Sequence, residues 1–82
     1  MSKTLRLEIL SPERKVYGGE VRMVITRATT GEMGVLPGHA PLVALLEPRP
    51  IRVLTEEGEQ QIIVPGGVMQ VKPDLVTIVT NG

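Results

Sequence analysis

His39 is the only histidine in this 82-residue chain, cysteine is absent, and Ser2 and Ser11 are the only serines. Nucleophilic catalysis needs a nucleophile, a base and a group that orients the base. A triad would have to run through His39, and neither serine lies in a strand-to-helix elbow. A zinc site draws on several Cys or His ligands, which one histidine does not supply. No EF-hand spacing of oxygen ligands is present for calcium. Acid–base chemistry would need two of Glu8, Glu13, Glu20, Glu32 and Asp74 to meet in space, and nine acids on a small surface read first as solvating charge. Gly31, Gly34 and Gly38 make a glycine-rich segment. It lacks the Gly-Lys-Ser/Thr of a phosphate loop and no helix follows it, so the spacing favours a compact loop using positive φ. The residues therefore predict no catalytic activity, no metal and no cofactor.

The elements that carry these residues are short. Leu5, Leu7 and Ile9 alternate with Thr4, Arg6 and Glu8, and Val21, Met23 and Ile25 alternate with Glu20, Arg22 and Thr26. Period two marks a half-buried strand. Further runs follow at Leu42–Leu46, Ile51–Thr55, Gln61–Val64, Val68–Lys72 and Leu75–Thr80, mostly rich in the Val and Ile that suit a pleated surface. Leu42–Leu46, bracketed by Pro41 and Pro48, also fits a helical turn. Turn signals at Ser11-Pro12, Gly18-Gly19, Thr30-Gly31, Pro37-Gly38, Pro48-Arg49-Pro50, Pro65-Gly66-Gly67 and Pro73-Asp74 separate the runs. Glu57-Gly58 reads as a hairpin tip. Nine Gly and seven Pro leave no room for a long helix, so the pattern predicts an all-β sandwich or barrel formed as one domain over residues 1–82. Val24, Leu54, Ile63 and Val68 fall on faces that the alternation makes polar. They are either covered within the sandwich or scattered on its surface, unless several cluster into an interface patch.

Composition narrows the partners. Nine Lys and Arg balance nine Asp and Glu, so the chain has no global attraction to nucleic acid or to an anionic membrane. Tyr17 is the only aromatic residue, and single-strand nucleic-acid binding needs several stacking rings. The charged start, Met-Ser-Lys-Thr-Leu-Arg-Leu-Glu, lacks a signal peptide's apolar core. The longest uncharged stretch, Met33 to Leu46, is interrupted by Pro37, Gly38 and Pro41 and falls short of the roughly 20 apolar residues of a membrane span. A soluble domain is expected, one that reaches a membrane only through a partner.

Residues 31–42 read Gly-Glu-Met-Gly-Val-Leu-Pro-Gly-His-Ala-Pro-Leu. This segment resembles the signature loop of the epsilon subunit of bacterial F-type ATP synthases. Leu7-Glu8-Ile9 with Ser11-Pro12-Glu13, Val16 to Val21, Ile51-Arg52-Val53, Gly66-Gly67 and Val71-Lys72-Pro73-Asp74 resemble flanking parts of that family in order. The resemblance implies a flattened β-sandwich of about ten short strands. It implies a non-catalytic rotor subunit of the central stalk, docked on the gamma subunit and the membrane-embedded c-ring, at the cytoplasmic face of the bacterial plasma membrane. By match to the motif, Glu32, Met33 and Gly34 are assigned to the ring contact. His39, Ser11 and Pro41 are assigned to gamma, and Gly31, Pro37 and Gly38 to loop geometry. For His39 the plain alternative is a hydrogen bond to local backbone, and for Glu32 a solvated carboxylate. The family's C-terminal helical hairpin has no counterpart in these 82 residues, so no nucleotide binding is expected of them. Pro65 and the Pro48-Arg49-Pro50 turn depart from the family's usual residues. A stand-alone β-sandwich module for peptide or carbohydrate is the competing reading.

Overall fold

A computed structural model describes residues 3–81, all of them in strands, turns and connecting segments, with no helix. Nine strands form: β1 (Leu5–Leu10), β2 (Lys15–Val21), β3 (Met23–Ala28), β4 (Gly31–Val35), β5 (Leu42–Leu46), β6 (Ile51–Thr55), β7 (Gly58–Ile62), β8 (Gly67–Val71) and β9 (Leu75–Thr80). They follow the order β2-β1-β9-β8-β5-β3-β6-β7, with β4 on the free side of β3. All pairs are antiparallel except β1 with β9, which run parallel. The sheet bends where β5 meets β3, through one bridge, Ala28 to Leu46. That bend folds β2-β1-β9-β8-β5 over β4-β3-β6-β7 and brings β2 back against β6. The result is a flattened sandwich whose Cα extents are 36 × 24 × 17 Å.

The core lies between the two halves. Leu5, Leu7, Ile9, Val21, Met69, Val71, Val76 and Ile78 come from the first half, and Val24, Val35, Ile51 and Val53 from the second, all buried. Burial of an aliphatic side chain of this size stabilises by about 1.5–3 kcal/mol, so this aliphatic set replaces the aromatics the chain lacks. Thr26 is buried among them, its hydroxyl directed at Met69 Sδ at 3.9 Å.

The strands follow the residues, with two differences from the alternation. The expected run Val21–Met23–Ile25 changes phase at Arg22, where the chain leaves β2 for β3 and the Arg22 amide bonds to the Leu54 carbonyl at 2.7 Å. Val24, Thr26 and Ala28 then face inward, while Met23 and Ile25 are half-buried on the outer side. Residues 31–35, expected as loop, are the strand β4, paired to β3 from Val24–Val35 to Ala28–Gly31. The expected Gln61–Val64 strand sits earlier, at Gly58–Ile62, and Leu42–Leu46 is a strand and no helical turn. The hairpin tip expected at Glu57-Gly58 falls one residue earlier, at Glu56-Glu57, with Gly58 opening β7 opposite Thr55, whose Oγ1 donates to the Gly58 carbonyl and accepts from the Glu57 amide.

Candidate protein-interaction site

The segment after β4 is a tight, anchored turn. The His39 amide donates to the Leu36 carbonyl at 3.1 Å, closing a β-turn with Pro37 and Gly38 at its centre. Gly38 has φ +87°. Proline at the second position and a positive φ at the third define a type II turn, which Gly adopts without strain. The Gly38 amide then donates to the Pro73 carbonyl at 2.8 Å, tying the turn to the β8–β9 connection. His39 Nδ1 donates to the Ala40 carbonyl at 2.7 Å, so one ring nitrogen is engaged by local backbone. Gly31 opens β4 with φ +130°.

Ser11 sits at the far end of the same half of the sandwich. Its hydroxyl donates to the Arg14 carbonyl at 3.0 Å and accepts from the Arg14 amide at 3.2 Å, closing the β1–β2 turn. Ser2 lies outside the described residues. Because β1, β9 and β5 run in one direction, Ser11 follows the C-terminal end of β1, whereas Pro41 and the His39 turn precede the N-terminal end of β5. The three positions assigned to gamma therefore lie at the two ends of one sheet face, Ser11 at one and His39 with Pro41 at the other.

That face carries an aliphatic row beside a polar one of Gln70, Thr77 and Glu8. Leu45 pairs with Val68, Val68 with Val79 and Val79 with Leu10, so four apolar side chains form a row across β5, β8, β9 and β1. Leu45 is 61% exposed, Val68 41% and Val79 51%, with Val43 at 69% two residues along β5. Large aliphatics contiguous on a sheet face are the signature of a surface meant to be covered. The alternation singled out Val68 but missed this row, because the neighbours of a residue across strands depend on a register that one strand's pattern does not encode. Ile63, also singled out, is exposed beyond the end of β7, while Val24 is buried and Leu54 half-buried.

Glu32, Met33 and Gly34 lie on the other half, on β4. Met33 pairs with Thr26 and packs against the core, which leaves Glu32 and Gly34 on the outer face. The Glu32 side chain is exposed and makes no hydrogen bond or ion pair with another described residue, though its charge acts on Arg52. Its cross-strand neighbour is Arg27, and beside them is a depression of about 260 Å³ lined by Ile25, Arg27, Glu32, Arg49, Arg52 and Gln61. Arg52 is held by Glu59 through two hydrogen bonds of 2.9 and 3.0 Å, which keep the Glu59 carboxyl below the ordinary carboxylate range. Elsewhere, hydrogen bonding from Lys15 and then Arg6 lowers Glu8 in the same way. Of the acids that might have paired for catalysis, Glu8 goes to Lys15 and Arg6, Glu20 to Thr4, and Glu32 lies among arginines. Among the described residues no three His, Cys, Asp or Glu gather where they could hold a metal ion.

Two outer faces, one carrying an exposed aliphatic row and one charged, flank the buried core; surfaces of this kind are those a protein-interaction domain presents. Residues 4–82 match the family of the ATP synthase delta/epsilon chain, beta-sandwich domain, and the chain belongs to that family. It is 47% identical over 79 residues to the ATP synthase epsilon chain of Acinetobacter baumannii and 46% identical over 79 residues to that of Psychrobacter cryohalolentis. Each match covers 95% of this chain and 57% of the relative, so the chain spans a little over half the length of those curated relatives. In structure it resembles a chain of the Euglena gracilis mitochondrial ATP synthase, solved with OSCP, F1 and c-ring, at a TM-score of 0.88 and 29% identity. That match covers 96% of this chain and 51% of the other. A chain of the Tetrahymena thermophila mitochondrial ATP synthase central stalk and c-ring shares the fold at a TM-score of 0.80 and 10% identity, over 99% of this chain and 66% of that one.

Proposed function

We propose that this domain is a non-catalytic part of the rotating central stalk of a proton-translocating ATP synthase, seated between the gamma subunit and the c-ring and coupling their rotation. It is held at the cytoplasmic face of the bacterial plasma membrane through that complex, with no insertion of its own. The observation that carries this reading is the exposed row Leu45–Val68–Val79, framed by Ser11 at one end and the Pro37–Pro41 turn at the other. A flat aliphatic face suits a permanent protein partner, because obligate interfaces resemble a domain core cut in half. Carbohydrate platforms rely on aromatic rings, and this chain's only one, Tyr17, is packed against the core. The rigid Pro37-Gly38 turn, tied to the Pro73 carbonyl, loses little freedom when a partner covers it. On this reading the row, Pro41 and His39 meet gamma, and Glu32 with Gly34 turns toward the ring.

Co-elution of the purified chain with recombinant gamma on a sizing column tests the proposal. A one-to-one complex is expected. Leu45→Ser with Val68→Ser weakens it by about tenfold or more, as loss of central apolar contacts does, without lowering the unfolding midpoint. Binding that ignores both substitutions would remove the apolar face from the interface and the reading with it.

A further inference from the structure

The Pro37–Pro41 turn has almost no hydrogen-bond donor left to offer. Pro37 and Pro41 carry no N–H. The Gly38 N–H goes to the Pro73 carbonyl at 2.8 Å and the His39 N–H to the Leu36 carbonyl at 3.1 Å. The His39 ring follows the same pattern. The Ala40 carbonyl, 2.7 Å from Nδ1, can only accept, so Nδ1 carries the proton of the neutral ring and Nε2 is a bare acceptor. Only the Ala40 N–H remains as a donor. The acceptors, by contrast, are open. The carbonyls of Pro37, Gly38, His39 and Pro41 receive no hydrogen bond from any described residue. Gly38, Ala40 and Pro41 are exposed, with Pro37 and His39 half-buried. Among the described residues no carboxylate pairs with the His39 ring. A fixed turn thus presents one ring nitrogen and a set of carbonyl oxygens.

We propose that this turn is a receptor for an arginine side chain of gamma, whose guanidinium donates to His39 Nε2 and to the open carbonyls. The proposal rests on the reading that His39 and Pro41 meet gamma, and it names the chemistry that gamma must bring there. A surface of acceptors is satisfied by a side chain that only donates. A carboxylate or a phosphate would set lone pairs against lone pairs. A hydroxyl or a carboxamide would bring acceptors of its own, for which the turn has no donor beyond the Ala40 N–H. Arginine carries five N–H groups on one rigid plane and no acceptor, so a single side chain serves the ring nitrogen and carbonyls together. Lysine's ammonium is a compact point charge, more strongly hydrated and so harder to strip of water. Lys72 and Asp74, on either side of the Pro73 to which the turn is tied, offset each other in charge. The Ala40 carbonyl acquires a task as well: by holding the proton on Nδ1 it keeps Nε2 free to accept.

Long-range nitrogen–proton NMR of the His39 ring, in the 82-residue chain alone and with recombinant gamma, provides the test. In the free chain at about pH 8, where imidazoles are neutral, Nδ1 should carry the proton and Nε2 none; a proton on Nε2 overturns the proposal. With gamma added, the Nε2 signal should move to lower frequency as it accepts a hydrogen bond, and an unmoved signal in the complex overturns the proposal too. Titration calorimetry then reads the donor's charge. His39→Ala weakens gamma binding about tenfold, the worth of a hydrogen bond to a charged group. His39→Gln, which keeps a carbonyl acceptor, weakens it less, and His39→Lys, which sets cation against cation, weakens it more. The ring lies outside the core, so the urea midpoints of all three should match the parent's. Equal losses of affinity would make the ring a filler of space, discarding the receptor and keeping gamma. Replacing gamma's arginines by methionine one at a time finds the donor. One replacement should cost about tenfold against the parent chain and almost nothing further against His39→Ala. If none couples in this way, the receptor falls and the gamma interface stands. If gamma does not bind the parent chain at all, the gamma reading falls and the receptor with it.

Discussion

At the scale of single residues, the sharpest constraint is Gly67, where β8 begins opposite the end of β9. Its φ is +148°, and a Cβ there would run into the Val79 carbonyl oxygen, with Thr80 Cα and the Val79 carbonyl carbon each at 3.0 Å. All three are backbone atoms of a central strand, so no side-chain rotation relieves the contact. Gly67→Ala is expected to cost about 3 kcal/mol, combining the backbone conformation with the displacement of β9. Urea unfolding measures it; a midpoint unchanged within error would show that the β8–β9 ladder can shift. The sequence flagged Pro65-Gly66-Gly67 as a turn from composition alone. Which of the two glycines was pressed against a neighbouring strand was not legible, since that depends on a partner 12 residues away.

At the scale of elements, β9 decides whether the two sheet faces have been assigned correctly. It lies between β1 and β8, with Val76 and Ile78 buried and Val79 half exposed on the other side. Ile78→Ala should cost about 3 kcal/mol through lost burial and a cavity between the halves. Val79→Ala, one residue away, should cost less than about 0.5 kcal/mol and instead weaken gamma binding. Chemical denaturation of the two variants side by side tests this, and equal losses would mean that the outer face is already covered within the molecule. Leu75–Thr80 was readable as a Val- and Ile-rich run, as was β6, whereas alternation marked β1 and the Glu57-Gly58 turn signal marked the hairpin. Two places were not readable, each for its own physical reason: alternation is blind to where the chain changes sheet, and loop-like residue types hide a strand whose order comes from its neighbour. At Arg22 the chain crosses between halves and the inward set moves from Val21 to Val24. At Gly31–Val35 the glycines and Glu32 mimic a loop, while pairing with β3 supplies the order that propensity lacks. The candidate site divides similarly. Glu32, His39 and Ser11 came from the motif, but the apolar row and the charged depression exist only once strands are in register.

At the scale of the whole molecule, the charges balance, so stability against pH depends on local pairs more than on net charge. Glu8 is lowered chiefly by hydrogen bonding from Lys15, then Arg6, and Glu59 chiefly by hydrogen bonding from Arg52. A carboxyl whose folded pKa lies below its unfolded one leaves the unfolded state binding more protons between the two values, so stability rises with pH there. The contribution is complete above the ordinary carboxylate range and is lost as pH falls through the depressed values. The melting temperature should accordingly decline as pH drops from about 6 to about 3, and it should decline less steeply in the Glu8→Gln, Glu59→Gln double variant. Both pairs are solvent-exposed, so raising salt to about 1 M, where the screening length is about 3 Å, should bring the two profiles together. Parallel profiles at low salt would mean that these pairs form equally in the unfolded chain, or that other carboxyls carry the acid limb. The same titration bears on function, because the pairs sit on different faces. Glu59 holds Arg52 beside the charged depression, whereas Glu8 flanks the β1–β2 end of the apolar side. If the apolar row alone binds gamma, protonating Glu59 leaves gamma affinity unchanged. Gamma binding that falls in step with Glu59 protonation would instead require one interface that wraps both halves of the sandwich.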